Sequence, residues 1–222
     1  MRGRVSLFEL ATHRSTLVDV TRALADLDEV RTRIASVQRF RGLSGQAALA
    51  SGLGALGSGL VQLGVVPYPH GPAEATKYVA IWIACLTFAL ALNYGAVGIW
   101  LARHWTSRTR SELRTAATSI VPSVVAGGAF TAAFLARGEV GLLPGTWALC
   151  YGLGLLAARS MLPRGIMLIA IGFAAMGTGL LFAAGTNALA WWVMPLTFGF
   201  GQAAIGISIL YDDARRAGRV IA

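Results

Sequence analysis

Charge is scarce in this chain of 222 residues: Asp, Glu, Lys and Arg make up 13% of it, where a soluble domain of this size carries about a quarter. Set beside 55% hydrophobic residues, that shortage excludes a soluble globule and equally excludes disorder. Cysteine is rarer still. Cys85 and Cys150 are too few for a disulfide-stapled secreted fold. Acidic side chains are the scarcer sign, 10 against 19 basic, for a formal net charge of +9. Histidine is limited to His13, His70 and His104, which lie far apart and outside the apolar runs, so no haem ligand pair or metal cluster is expected. The sequence also lacks a G-x-S-x-G elbow, a phosphate-binding glycine loop and an H-E-x-x-H pair. No ionisable residue stands in the middle of an apolar run, which removes the usual marker of a proton relay or ion path. The expectation is a protein that is not an enzyme and carries no cofactor or metal.

What is present in quantity is apolar sequence in long runs. About 20 helical residues cross a hydrocarbon layer of about 30 Å, and six stretches qualify: 43 to 66, 78 to 102, 115 to 136, 142 to 158, 165 to 185 and 188 to 210. None alternates apolar with polar residues as barrel strands do, so each is read as a helix that satisfies its own backbone. The expected fold is all-α: a polytopic six-helix membrane bundle over 43–210, with a cytoplasmic amphipathic helical arm over 1–42 and a cytoplasmic basic tail over 211–222.

The few charges sort by side. The first 42 residues hold eight arginines, the second connection holds Arg103, Arg108, Arg110 and Arg114, the fourth holds Arg159 and Arg164, and the tail holds Arg215, Arg216 and Arg219. Alternate segments thus carry 17 of the 19 basic residues, leaving Lys77 and Arg137 opposite. Basic residues near span ends resist translocation, so both termini are expected in the cytoplasm. Topology also accounts for the +9 without nucleic acid as a partner.

Residues 1 to 42 are too polar to span and lack the apolar core and cleavage site of a signal peptide, so they are expected to stay on the chain. Within them Leu17, Val20, Leu24, Leu27, Ile34 and Val37 recur at helical spacing, which gives one apolar face. Such a helix lies on the membrane or bundle surface, or docks a partner.

The chain repeats itself. Gly52–Leu60 reads GLGALGSGL and Gly172–Leu180 reads GFAAMGTGL, while Trp82, Leu86, Thr87 and Phe88 fall on Trp192, Leu196, Thr197 and Phe198 at a constant offset of 110. Three helical hairpins in like orientation, with the middle pair the most diverged, is the economical arrangement. Small residues four apart (Ala50, Gly54 and Ser58; Ser51, Ala55 and Gly59; Ala175 and Gly179; Gly199 and Ala203) let helix backbones approach closely, either inside the bundle or between protomers.

Polar candidates are the large amides Gln62, Asn93 and Gln202, together with Thr197. A bare amide in lipid is costly, so each is expected to face a partner helix or a small polar cavity. Pro122 and Pro195 fall inside spans and release carbonyls from the helical ladder. Trp191, Trp192, Tyr68 and Tyr78 gather near one boundary, with Trp100, Trp105 and Tyr211 near the other, as interfacial aromatics do.

The strings RIASVQRFRGLSGQAALASGLGAL, PRGIMLIAIGFAAMGTGLLF and WWVMPLTFGFGQAAIGISIL resemble a group of uncharacterised six-span bacterial inner-membrane proteins. The glycine-rich hairpin repeats more loosely resemble the HdeD-type acid-resistance membrane proteins. The first resemblance implies the six-span fold and no particular activity. Two functions stand open on sequence alone. One is an accessory, scaffold or sensor subunit that associates in the bilayer with another membrane protein or with itself. The other is a small transporter or channel for an uncharged or lipid-like solute, with Asn93, Gln202 and Thr197 along its route.

Overall fold

The computed structural model describes residues 42–183 and 185–221, all of them in one compact unit. The arm expected over 1–42 lies outside the described residues, apart from Gly42. Among the described residues the structure is helical, with no strand. Its helices are α1 (Gly45–Val65), α2 (Pro72–Arg103), α3 (Ser107–Arg137), α4 (Leu143–Ala157), α5 (Arg164–Phe182) and α6 (Phe200–Ile221). Five stretches, α1 to α5 with α4 taken from the 3₁₀ turn that precedes it at Val140, are long and apolar enough to cross a membrane, as a multi-pass membrane protein requires.

The ends follow from local chemistry. The Ser44 hydroxyl accepts the Ala47 N–H at 3.2 Å and starts α1. Gly71, at φ +107°, turns the chain into Pro72, whose fixed φ suits a first helical position. Thr106 caps α3 by accepting from the Thr109 N–H at 3.1 Å. The same helix ends on Gly138 in the left-handed conformation, φ +74°, which a Cβ disfavours.

The stretch expected as a sixth span, 188 to 210, is not one regular helix. It begins in a 3₁₀ turn (Thr186–Leu189), then passes through a π-helical segment (Pro195–Gly199) into α6. Proline at 195 has no N–H to offer a carbonyl four residues back, and the wider turn accommodates the loss. Nor does the helix stop at 210. It continues to Ile221, so the basic stretch expected as a tail is helical, with Arg216 paired to Asp212 and Arg215 set 4.6 Å above the Tyr211 ring.

Neighbours run in the order α2, α1, α6, α5, α4, α3. The most extensive packings join α4 to α5 and α1 to α6, so hairpins are locked to one another and not only within themselves. α2 and α3 stand at the two ends of that order and do not pack on each other, although three residues join them. Their apolar stretches bury 6% and 0% of their residues respectively.

Glycine builds the α1–α6 seam. Gly45, Gly52 and Gly59 recur every seven residues, each followed three residues later by Ala48, Ala55 or Gln62, and all six are buried. A Cβ on Gly52 would stand 2.8 Å from the Gly199 carbonyl, and one on Gly59 would overlap Pro195. Gly145, Gly152 and Gly177 do the same between α4 and α5. Close backbone approach replaces hydrophobic burial as the source of association where lipid is as apolar as leucine.

Candidate functional site

The large amides of the bundle are tied up in three separate clusters built across helices, and a fourth pairing joins α4 to α3, where the Trp147 indole N–H donates to Thr131 Oγ1 at 2.8 Å. Gln62 is fully buried in the last turn of α1. Its Nε2 donates to the Leu189 carbonyl at 2.8 Å, and its Oε1 accepts the Trp82 indole N–H at 2.8 Å. One side chain thereby joins α1, α2 and the turn before the π segment. Around it pack Ala55, Val66, Tyr78, Val140, Leu143 and Met194. The Tyr78 ring stands 6.4 Å from that of Trp82, and its hydroxyl is buried without a hydrogen-bond partner.

Asn93 joins α2 to α1 farther along. Its Nδ2 donates to Ser51 Oγ at 2.8 Å and to the Ala89 carbonyl at 2.9 Å, and the Ser51 hydroxyl passes its own proton to the Ala47 carbonyl at 2.8 Å. Gln202 joins α6 to α4 by donating to the Tyr151 hydroxyl at 2.8 Å. The Tyr151 ring meets Phe173 edge-on at 4.8 Å and lies 5.7 Å from Phe198. Gly201 makes room for Phe173, whose ring occupies the space a Cβ would need. Thr197 turns inward on its own segment and donates to the Val193 carbonyl at 2.6 Å, supplying a side-chain bond in the π turn where the backbone ladder is broken.

No family model, curated protein or solved structure matches this chain. What the clusters can do follows from their geometry. Gln62, Asn93, Gln202 and Thr197 each donate a hydrogen bond locally, and no hydrogen bond joins any of them to another. Each bonds a neighbouring helix or its own backbone, the arrangement of interhelical fasteners worth on average about 0.6 kcal/mol apiece. Among the described residues no three His, Cys, Asp or Glu side chains come together as a metal site.

The small residues expected at helix contacts divide into two sets. Gly54 meets the Phe88 ring, where a Cβ would stand 2.8 Å away, while Gly59 meets Pro195 and Gly199 meets Leu56. Ser58 lies beside Cys85 of α2. Gly179 differs: no atom lies within 4 Å of the Cβ position, and with Gly172 and Ala175 it faces outward. Sequence reasoning did not single out Ser51, Trp82 or Tyr151 as partners, because pairing depends on which helices become neighbours. The seven-residue spacing of Gly45, Gly52 and Gly59 was a readable signal of the seam.

Proposed function

We propose that this chain is a non-catalytic subunit of a bacterial inner membrane that works by helix–helix association, with another membrane protein or a second copy of itself. The observation that carries the reading is the outer face of α2. Ala80, Ala84, Thr87, Ala91, Gly95 and Gly98 follow one another at spacings of three and four and are all exposed. Neither Gly95 nor Gly98 has an atom near its Cβ position. Inside the bundle such residues admit a second backbone, so the same pattern on an outward face fits a helix from outside. The outward Gly172, Ala175 and Gly179 of α5 add a second face of this kind. The finer topology belongs to the same proposal: residues 188–210 provide a sixth crossing, the spans form three hairpins in like orientation, and both termini are cytoplasmic. Supporting it is the basic residues' confinement to alternate connections.

The test is the mass of the gently extracted protein, by native electrophoresis and cross-linking in the membrane. Wild type is expected to run as a complex. Ala91→Leu with Gly95→Leu reverts it to the monomer, while Gly57→Leu, on an outward face of α1 flanked by Leu53 and Leu60, leaves the complex intact. A monomeric wild type, or a complex indifferent to the α2 pair, refutes the reading.

A further inference from the structure

At one level of the bundle, polar side chains from three helices meet with part of their hydrogen-bonding capacity unused. Asn93 and Gln202 each commit the amide nitrogen to a neighbouring helix, Asn93 to Ser51 and Gln202 to Tyr151. Their amide oxygens accept nothing from the described residues. Both oxygens are also accessible, since among the described residues the Tyr78 hydroxyl is the one side-chain group buried without a partner. The Tyr151 hydroxyl accepts from Gln202 and has no acceptor there for its own proton, and the Tyr94 hydroxyl makes no hydrogen bond among the described residues. The set therefore offers two amide oxygens as acceptors and two phenolic protons as donors.

These groups are neighbours. The Gln202 Cβ lies 3.4 Å from where a Cβ on Gly52 would stand, beside the Ser51 that Asn93 holds. Tyr94 follows Asn93 in α2 and is 60% exposed, yet it comes within electrostatic range of the Tyr151 hydroxyl. Since α2 packs along α1 and not along α4 or α3, side chains and not backbones span the space at this level, and it opens to lipid between α2 and α3. The level is deep. Asn93 stands ten residues before Arg103, Tyr151 eight before Arg159 and Gln202 ten before Asp212, or about 12–15 Å of helix, near the middle of a hydrocarbon layer about 30 Å thick.

Depth and charge select the ligand. Residues 43–66, 78–102, 142–158 and 188–210 contain no Asp, Glu, Lys or Arg, so a charged headgroup drawn to this depth would meet no counter-charge. A neutral hydroxyl costs far less to immerse, and it complements the set by giving its proton to an amide oxygen while its own oxygen accepts from a phenol. We infer that the notch formed by Tyr94, Tyr151 and Gln202 binds the hydroxyl of an uncharged long-chain alcohol, which enters between α2 and α3 and leaves its hydrocarbon chain in the bilayer. Gln202 Oε1 accepts the alcohol proton, and Tyr94 donates to the alcohol oxygen.

The experiment is native mass spectrometry of the full chain in dodecyldimethylamine oxide, a detergent without a hydroxyl, titrated separately with 1-hexadecanol, its methyl ether and palmitate. Hexadecanol is expected to be retained about fivefold above the ether, which accepts but cannot donate, a difference of one ordinary hydrogen bond. Palmitate is retained less than hexadecanol. Tyr94→Phe removes a hydroxyl that holds no protein group, so it melts like wild type and lowers retention of the alcohol and the ether alike, about fivefold. Tyr68→Phe, the control, changes neither. Gln202→Leu brings hexadecanol down to the level of the ether and leaves the ether unchanged, a pattern that loosening α6 from α4 would not produce. Should Gln202→Leu fail to fold, Tyr94→Phe and the comparison of alcohol with ether decide. Equal retention of alcohol and ether by wild type, which leaves water alone in the notch, overturns the inference. So does palmitate at or above hexadecanol, or a Tyr94→Phe protein indistinguishable from wild type.

Discussion

Gln62→Leu removes the fastener that holds α1, α2 and the Thr186–Leu189 turn together, at nearly constant volume. Its two short hydrogen bonds, both at 2.8 Å, are lost, and with them a long one of 3.5 Å to the Val66 carbonyl that is left out of the sum. At membrane-protein values of about 0.6 kcal/mol each, rising to about 1.7, they account for roughly 1–3 kcal/mol. The substitution also strands the Trp82 indole N–H and the Leu189 carbonyl in a cluster that includes Leu143, Val140 and Met194, and a stranded buried group costs about 1–3 kcal/mol more. Leucine recovers part of this by burying apolar surface, so the expected net loss is about 2–4 kcal/mol. Reversible unfolding in mixed detergent micelles, followed by tryptophan fluorescence, measures it. Trp82→Phe provides the control because it removes the donor. In the Gln62→Leu background Trp82→Phe is expected to cost about 1 kcal/mol less than in wild type, since the indole N–H has already lost its partner. A loss below about 0.5 kcal/mol for Gln62→Leu, or a Trp82→Phe cost identical in the two backgrounds, refutes the assignment of Gln62 as a fastener.

Two further outcomes follow from the glycines. Gly59→Ala drives a methyl group into Pro195 and is expected to destabilise the bundle by about 2 kcal/mol or more, whereas Gly57→Ala, two positions away with open space at its Cβ, is neutral or stabilises by up to about 1 kcal/mol; the same unfolding assay separates them, and equal effects contradict the seam. Gly138→Ala forces a side chain into the left-handed conformation at the end of α3 and is expected to lower the melting midpoint by an amount equivalent to about 1 kcal/mol, as read by circular dichroism in detergent.

Much of the helical layout was legible because lipid makes the rule simple: a run of apolar residues long enough to cross must be a helix. The expected stretch 43 to 66 corresponds to Gly45–Val65, and 165 to 185 to Arg164–Phe182. Helices that continue past the apolar run were underestimated. α3 begins at Ser107, eight residues before the expected 115, because Thr106 caps it in polar sequence. α6 likewise runs on through Asp212–Arg216. Pro195 was recognised as a disturbance, but that it would produce a π turn and rest against Gly59 was not legible. The amides were legible as groups that need partners. Their partners were not, since Tyr151 meets Gln202 only because α4 and α6 converge around Phe173. Gly177 and Gly179 show the same limit within two residues: one touches the backbone of α4, the other touches nothing.

The order in which the helices neighbour one another has a consequence for synthesis. α1 emerges first, and the helix that fills its glycine seam emerges last, some 150 residues later. Throughout insertion the seam has only lipid against it, and its closure waits on a long-range encounter of the slow kind. A chain stopped anywhere before Pro195 therefore presents a full-length unpaired glycine face in the bilayer. The first helix to be made is thus the one whose packing is completed last.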